Sequence, residues 1–256
     1  MAGKKIVLLA GEGVSSHVVY HAVHAALGIH AVILEAPVDK KTFLKRRIKK
    51  LGLPKVIAQV LFQSLIVPLL HAGSKKRIAA IKQQYQLDDS PIPENIIERV
   101  PSVNSDATIA LLQQLQPDLV IVNGTRIIAE KVLRSVNCRF INTHAGITPA
   151  YRGVHGAYWA LASNDAGNAG VTVHLVDKGI DTGSVLYQAL ILIDKTDNFT
   201  TYPLLQLAAG IPLLIKASED VLNGSLQTVK GTTQSGLWSH PGIFEYVYRR
   251  LIKKVK

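Results

Sequence analysis

Three residue types that could carry out acyl transfer stand in two short segments of this chain. Asn142 and His144 end a strand-like apolar run, and Asp181 follows in a Gly-Ile-Asp-Thr-Gly turn, 37 residues after His144. An asparagine amide can donate to the oxygen of a substrate carbonyl, and an imidazole beside a carboxylate can take up or release protons. Each residue alone also fits a structural role, as a turn cap or a partner of backbone groups. The trio as a set suggests attack of an amine on a carbonyl.

The surrounding pattern predicts the elements that would position this trio. Ile6–Ala10 is a continuous apolar run, followed by a glycine turn, a helix from Ser15 or Ser16 to about Leu27, and a second strand at Ala31–Leu34. This β–α–β opening indicates an α/β fold with a mostly parallel sheet. Further strands are expected at Leu119–Val122, Arg139–Thr143 and Val171–Val176. Because open α/β sheets bind ligands at the carboxyl ends of their strands, we expect the trio to meet in one crevice.

The alternation of strands and helices breaks at two places. Residues 39–86 read as a helical insertion, in which seven Lys or Arg residues lie between Lys40 and Lys50. Residues 201–256 read as a C-terminal appendage of helices and a hairpin that ends in a basic amphipathic helix, with a strand at Ser225–Val229. The expected organisation is a catalytic domain over residues 1–200 that carries the insertion, followed by this appendage.

Composition limits the classes of function. The formal net charge is +11, which suits anionic partners such as phosphorylated molecules, nucleic acid or an acidic membrane surface. A single cysteine, Cys138, excludes an internal disulfide, and the histidine spacing does not match a metal site. The most apolar segment, Val56–Leu70, contains Gln59, Gln63 and Pro68, so we expect no transmembrane segment and a cytoplasmic location.

Two longer segments resemble the signature of the folate-dependent formyltransferases. They are FINTHAGITPAYRG at residues 140–153 and GVTVHLVDKGIDTG at residues 170–183, and the resemblance extends over most of residues 5–195. It implies a Rossmann-like formyltransferase core in which Asn142, His144 and Asp181 are catalytic. It also implies 10-formyltetrahydrofolate as formyl donor and no metal.

The resemblance further suggests which residues bind the two substrates. The folate would lie between one loop holding Gly124, Thr125, Arg126 and Ile128 and a second holding Val176, Asp177 and Ile180. The loop after the first signature is expected to contact the acceptor through Tyr151, Arg152, Gly153 and His155.

The acceptor amine is expected to belong to a nucleotide-linked amino-sugar. The amino-acid sequences of the first signature and of the Leu237–Pro241 tail resemble those of the sugar N-formyltransferases of O-antigen and lipopolysaccharide synthesis, especially the GDP-perosamine type. This resemblance implies a 4-amino-4,6-dideoxy sugar. Glycinamide ribonucleotide is an alternative, although Glu12 would repel its phosphate at a helix N-terminus. Methionyl-tRNA is another, although the enzymes that use it carry a larger C-terminal domain.

The sequence also allows two functions without catalysis, and it predicts an oligomeric state. The chain could be a non-catalytic ligand-binding module, or a nucleic-acid-binding module that uses its basic surface. We expect a homodimer, in which the apolar helix at 55–70 and the C-terminal appendage are candidate contacts. The same helices could instead be core or could lie at a membrane surface.

Overall fold

The structure is a computed structural model that describes residues 3–229 and 234–256. Its strands are β1 Ile6–Gly11, β2 Ala31–Glu35, β3 Ile97–Val100, β4 Leu119–Asn123, β5 Arg139–His144, β6 Arg152–Gly153, β7 Gly170–Leu175, β8 Val185–Leu190 and β9 Leu237–Trp238. Seven of them form one sheet in the order β3-β2-β1-β4-β5-β7-β8, and β6 pairs with β9 separately. Strands β1 to β5 run parallel to one another. Strand β7 pairs antiparallel with β5, and β8 pairs antiparallel with β7. The predicted mostly parallel, Rossmann-like α/β fold is confirmed.

Helices occupy most of the remaining chain. They are α1 Val14–Leu27, α2 Lys40–Leu51, α3 Leu53–Leu61, α4 Val67–Gly73, α5 Lys75–Gln84, α6 Asp106–Leu115, α7 Glu130–Leu133, α8 Gly156–Ala162, α9 Tyr202–Asn223 and α10 Ile243–Ile252. A π-helical turn, Phe62–Ile66, joins α3 to α4 without a break. Local chemistry sets several helix starts. Asp39 caps α2 by accepting from the Thr42 amide, and Ser105 caps α6 by accepting from that of Thr108.

The sheet is buried on both faces, which explains why its central strands are apolar without interruption. Successive side chains of β1 alternate between the two faces. Leu8 packs on the side of α1 and α9, whereas Leu9 packs on the side of α6 and α7. In β5, Phe140 lies on the α6 and α7 side, so the same alternation places Asn142 and His144 on that face.

One expected strand was wrong, the two edge strands of the large sheet were missed, and the two-residue strands β6 and β9 were not predicted either. Only Val229 of the expected strand Ser225–Val229 forms a bridge, to Val185. The edge strand β3 was missed because its sequence, Ile-Glu-Arg-Val, exposes its two charged residues. The other edge strand, β8, was missed because it alternates buried with exposed side chains over only part of its length.

The predicted insertion and appendage share a second core with α8. The ring of Phe62, on the π-helical turn, lies 4.9 Å from that of Phe199 and 4.8 Å from that of Tyr246 on α10. Helix α9, which opens the predicted appendage, packs against β5, β7 and β8 of the main sheet. The division of the chain at residue 200 stays a prediction.

The helical run Leu53–Gly73 is long and apolar enough to cross a bilayer by length and composition alone, with a mean hydropathy of 1.7. A stretch of the chain thus has the length and composition of a membrane span, whereas the expectation of no transmembrane segment stays a prediction. Gln59 turns its side chain into the protein, and Pro68 lies just after the π-helical turn, where the regular α-helical hydrogen-bond pattern is already interrupted. Length and composition of one helix are weak evidence for a membrane span.

Phe62 is expected to carry much of the stability of the second core, since its side chain is fully buried between rings from two other segments. Phe62→Ala should lower the free energy of unfolding by about 3–5 kcal/mol. Urea unfolding followed by circular dichroism measures this change. The matched control is Leu192→Ala, at a side chain that is 83% exposed, which should change stability by no more than about 0.5 kcal/mol. Equal losses in the two variants would contradict the assigned packing.

Candidate functional site

The structure brings the predicted trio together on the α6 and α7 side of β5. His144 is the last residue of that strand and is buried, and Asn142 lies two residues earlier on the same face. The Oδ2 atom of Asp181 lies 3.3 Å from Nδ1 of His144. The side chain of Asp181 is only 15% exposed, so the contact is largely shielded from water.

Asp181 reaches this position by a route that differs from the expected one. Strand β7 is antiparallel to β5, so its carboxyl end lies beside Ile141 and not beside the end of β5. The trio does meet in one crevice, as expected, but the two neighbouring strands that present it run in opposite directions. The loop between β7 and β8 folds back over the sheet, and the Gly153 amide donates to Oδ2 of Asp181 at 3.0 Å. Arg152 also ties the two loops together by donating to the Ile180 carbonyl.

Two glycines make this tight loop possible. A Cβ atom on Gly183 would lie 1.6 Å from the Leu175 carbonyl oxygen, and one on Gly179 would lie 1.8 Å from Oγ1 of Thr182. The Asp177 carboxylate closes the turn by accepting from the Gly179 amide and the Thr182 hydroxyl. Asp181 itself has a φ of 51°, a left-handed conformation that aspartate tolerates better than most residues. The Gly-Ile-Asp-Thr-Gly sequence is thus what the backbone path requires.

The hydrogen bonds of His144 identify where this site can take up a proton. Nε2 of His144 lies 2.8 Å from the Tyr151 carbonyl, which only accepts, so Nε2 carries a proton. In the neutral ring, Nδ1 then presents a lone pair to the Asp181 carboxylate. The position between Nδ1 and Oδ2 is therefore suited to receive one further proton.

Burial keeps that position free of a proton near neutral pH. It lowers the pKa of His144 below its usual range, although the Asp181 charge acts in the opposite direction. Burial alone would raise the pKa of the Asp181 carboxyl. His174, His144 and the Gly153 amide together outweigh this effect and lower that pKa. The resting pair is a neutral imidazole beside a carboxylate.

The amide of Asn142 is held by a second histidine. Nδ1 of His174 lies 2.7 Å from the Leu175 carbonyl and must donate to it. Nε2 of the same ring lies 3.2 Å from Nδ2 of Asn142 and 3.7 Å from Oδ1 of Asp181, so His174 fixes the amide beside the carboxylate. At least one amide hydrogen of Asn142 is available to a ligand.

One cavity of about 370 Å³ joins the trio to both predicted folate-binding loops. The described residues that line it include the trio, Gly153 and the seven residues predicted from the two loops, which are Gly124, Thr125, Arg126, Ile128, Val176, Asp177 and Ile180. This volume lies within the range of small-molecule sites.

Sequence reasoning missed Glu35, which fixes the loop that begins at Gly124. Its side chain is buried at the end of β2, and its carboxylate accepts from the backbone amides of Arg126 and Val103. The Arg126 guanidinium lies 3.2 Å from the same carboxylate and also donates to the Ala36 carbonyl. The sequence signal that could have identified Glu35 is a carboxylate at the end of a continuous apolar strand.

The predicted acceptor-binding residues divide into two groups. Gly153 lines the cavity, and Arg152 lies beside Asp181 at the entrance of a neighbouring cavity. The Tyr151 ring is instead buried against Trp238, with its hydroxyl on Asp165, and only its carbonyl reaches the site through His144. The His155 ring packs on Phe199 and pairs with His240, and it lies outside the set that lines the cavity. The roles of all four residues in binding stay predictions.

A second cavity of about 510 Å³ lies on the opposite side of β5. It shares Gly124 and Thr143 with the first cavity, so the two meet at the end of β5. Its other described lining residues are mainly apolar side chains of α1, α5 and α9, with polar groups from Ser15, His71, Lys82, Asn123, Thr200 and Gln206. Among residues 3–229 and 234–256, no cluster of three or more potential ligands could hold a metal ion.

Comparison with known proteins identifies the family. The family model described as formyl transferase matches residues 73–206, which is more than half of the chain. The chain belongs to the formyl transferase family. The methionyl-tRNA formyltransferase of Methylacidiphilum infernorum is 28% identical over 180 residues, which cover 68% of this chain and 55% of that relative. The chain thus spans about half the length of the curated relatives it matches.

Two solved structures of formyltransferases share the fold. A sugar N-formyltransferase from Shewanella sp. FDAARGOS_354 has a TM-score of 0.58 at 14% identity, over 92% of this chain and 76% of that one. A phosphoribosylglycinamide formyltransferase from Anaplasma phagocytophilum also has a TM-score of 0.58, at 17% identity, over 93% and 97% of the two chains. These two structures, which are named for different acceptors, therefore have the same TM-score with this chain.

The buried His155–His240 pair beside the site predicts acid sensitivity of the folded chain. Burial lowers the pKa of His155 to about 3 and that of His240 to about 4. Below pH ~6.5 the unfolded chain binds protons that the folded chain does not, so stability present above that pH is lost as the pH falls towards these values. His155→Asn should reduce the slope of the free energy of unfolding against pH by up to about 1.4 kcal/mol per pH unit.

Urea unfolding between pH 7.5 and 4.5 measures both slopes. Asparagine suits this position because His155 has a φ of 59°, in the left-handed region. The matched control is His30→Asn, since His30 is exposed and the substitution should leave the slope unchanged. Parallel slopes for the wild type and His155→Asn would refute the assignment of a buried neutral His155.

Proposed function

We propose that this protein is an N-formyltransferase that moves a formyl group from 10-formyltetrahydrofolate to the amine of a nucleotide-linked amino-sugar. The observation that carries the proposal is the single cavity that joins Asn142, His144 and Asp181 to the two loops. The reaction would take place in the cytoplasm and would serve the synthesis of surface polysaccharide such as O-antigen.

The residues present fit a folate donor. The cavity has room for a flat bicyclic ring, and the loops that line it are rigidly held, one by Glu35 and the other by Asp177. Backbone groups of Gly124, Thr125, Val176 and Ile180 would orient the ring. When bound there, the donor supplies an activated formyl carbonyl.

Asn142 would stabilise the negative charge that develops on the formyl oxygen. Its amide is oriented in advance by His174, so little reorganisation is needed when a carbonyl arrives. One such donor in a shielded site typically contributes about 3–4 kcal/mol to lowering the barrier. Since β5 carries both Asn142 and His144, the oxygen and the proton acceptor have a fixed separation.

The His144–Asp181 pair would accept the proton that the attacking amine must lose, and would return it to the donor nitrogen as the bond between that nitrogen and the formyl carbon breaks. The vacant position between Nδ1 and Oδ2 lies at the cavity wall, and the charge of the carboxylate stabilises the proton once it arrives. The Tyr151 carbonyl holds the ring in place throughout, because Nε2 stays protonated before and after this transfer.

The acceptor would approach through the cavity of about 510 Å³ on the other side of β5. Its amine could pass the shared wall at Gly124 and Thr143 to reach the formyl carbon. A sugar with a deoxygenated carbon, as in GDP-perosamine, suits the mainly apolar wall, whereas Lys82 in that wall is already paired with the Asp89 carboxylate. We retain Arg152 as the phosphate contact, because its Nε atom is buried with no hydrogen-bond partner in the described structure and its side chain lines the neighbouring cavity beside Asp181.

Charge at the start of α1 disfavours glycinamide ribonucleotide as the acceptor. Glu12 lies there, and the nearby Arg99 is 3.6 Å from it and also pairs with Glu94. Two carboxylates around one guanidinium leave a net negative charge, which opposes a phosphate at this helix N-terminus. Methionyl-tRNA is the second candidate, since the matched curated relatives are named for it. Homodimer formation stays part of the proposal.

Replacement of the trio tests the chemistry. Asn142→Ala should lower kcat by about 10²–10³ because the oxyanion loses its donor. Asp181→Asn should lower kcat by about 10²–10⁴, since the amide can still accept from Gly153 but cannot take the proton. Binding of a non-transferable folate analogue, measured by calorimetry, should change little in either variant. His30→Ala is the matched control. Full turnover by Asn142→Ala would exclude the proposed mechanism.

An acceptor panel tests the substrate class. The purified chain is incubated with 10-formyltetrahydrofolate and, separately, GDP-linked and other nucleotide-linked amino-sugars, glycinamide ribonucleotide and methionyl-tRNA. Mass spectrometry should detect the addition of one formyl group to an amino-sugar with the amine at the 4 position. If only glycinamide ribonucleotide or methionyl-tRNA gains the group, formyl transfer stands and the acceptor assignment is wrong.

A further inference from the structure

The helical run from α3 to α4 exposes apolar side chains where a helix on a protein surface normally exposes polar ones. Its inward face is fixed by Val56, Gln59 and Phe62, which are buried. Its outward face consists of Leu53, Ile57, Val60, Leu61, Leu65 and Leu69, all exposed. Leu69 is 70% exposed. Nothing in residues 3–229 or 234–256 covers this stripe.

Helix α10 has the same unusual arrangement. Tyr246 faces inward and is buried, whereas Phe244, Val247, Tyr248, Leu251 and Ile252 form an outward stripe at helical spacing. Leu251 is 71% exposed. The inward rings of the two elements, Phe62 and Tyr246, are in contact at 4.8 Å. Both stripes therefore point away from the same core, on neighbouring helices.

Helix α2 adds positive charge beside these stripes. It contacts α3, yet none of its twelve residues is buried, so it lacks the packing that normally stabilises a surface helix. Its six exposed cations are Lys40, Lys41, Lys45, Arg46, Lys49 and Lys50. Across the described ranges, none of the six lies within 4.0 Å of a carboxylate. Phe43 and Leu44 are exposed between them.

We propose that α2, the α3–α4 run and α10 form one surface that binds the face of an anionic phospholipid bilayer. We call it the basic apolar surface. The outward apolar side chains would enter the boundary between headgroups and acyl chains, and the unpaired cations would contact anionic headgroups. An amphipathic helix with apolar and basic residues in this arrangement is suited to lie in a membrane interface.

The charge distribution favours a bilayer over other occupants. A second copy of the chain would bring two sets of unpaired cations together, at a net charge of +11 per chain. Nucleic acid would satisfy the cations but leave more than ten apolar side chains exposed to water. The α3–α4 run would lie on the bilayer and not cross it, because its inward face is held by the core that contains Phe62 and Tyr246. The surface is independent of the proposed formyl transfer.

Sedimentation with vesicles tests the proposal. The full chain is mixed with vesicles of phosphatidylcholine alone and with vesicles that contain about one-third phosphatidylglycerol, a fraction at which the surface charge attracts basic segments. The expected result is binding to the anionic vesicles, weakened by salt, and at least tenfold weaker binding to the neutral ones.

Two variants separate charge from apolar contact. Replacement of Lys45, Arg46, Lys49 and Lys50 by Gln should weaken binding to anionic vesicles by at least about 100-fold. Replacement of Leu65, Leu69 and Leu251 by Gln should remove the binding that persists at high salt. All seven side chains are exposed, so the fold should be retained, which circular dichroism and the melting temperature verify. The control, Lys131→Gln with Arg134→Gln, changes two exposed cations at α7 and should bind as the wild type does.

Three results would overturn the proposal. The first is no preference for anionic vesicles. The second is equal binding by the wild type and both surface variants. The third is a dimer in sedimentation equilibrium that the leucine variant dissociates, together with no vesicle binding, which would assign the surface to self-association.

Discussion

The contact between His144 and Asp181 depends on a loop that runs against the direction of its own strand. Strand β7 leads away from the end of β5, and the loop after it must return over the sheet to place Asp181 at Nδ1 of His144. Its glycines permit the close approach of backbone segments, and the Gly153 amide anchors the carboxylate. The same loop also lines the cavity, so the shape of the donor site and the proton acceptor are set by one backbone path.

Local patterns allowed part of this arrangement to be predicted from the sequence. The β–α–β opening is visible because both faces of β1 and β2 are buried, which leaves continuous apolar runs. The signature segments placed the trio and both loops near one another. The antiparallel direction of β7 could not be inferred, since strand direction depends on connections whose lengths fit either case. The burial of the Tyr151 and His155 rings also escaped prediction, because it depends on Trp238 and Phe199 from distant parts of the chain.

Buried imidazoles connect function with stability in this fold. His144 must be shielded so that the position beside Asp181 stays free of a proton near neutral pH, and the shielding comes from the loop at residues 145–156. That loop is in turn supported by the His155–His240 contact and by Trp238. The loop that shields His144 therefore also contains His155, which is buried as a neutral histidine and so destabilises the folded chain in acid.

Segments outside the central sheet determine what surrounds the second cavity. Helix α5 contributes Ile78 and Lys82 to its wall, and the neighbouring α4 contributes His71, two residues after the exposed Leu69 of the basic apolar surface. The buried ion pair between Arg77 and Asp197 fixes α5 to the chain just before α9, with two hydrogen bonds of 2.8 Å. Because Asp197 is fully buried, loss of Arg77 would leave an unpaired charge in the interior. The position of α5, and with it the cavity wall, therefore depends on that pair together with the packing of α5 on α9.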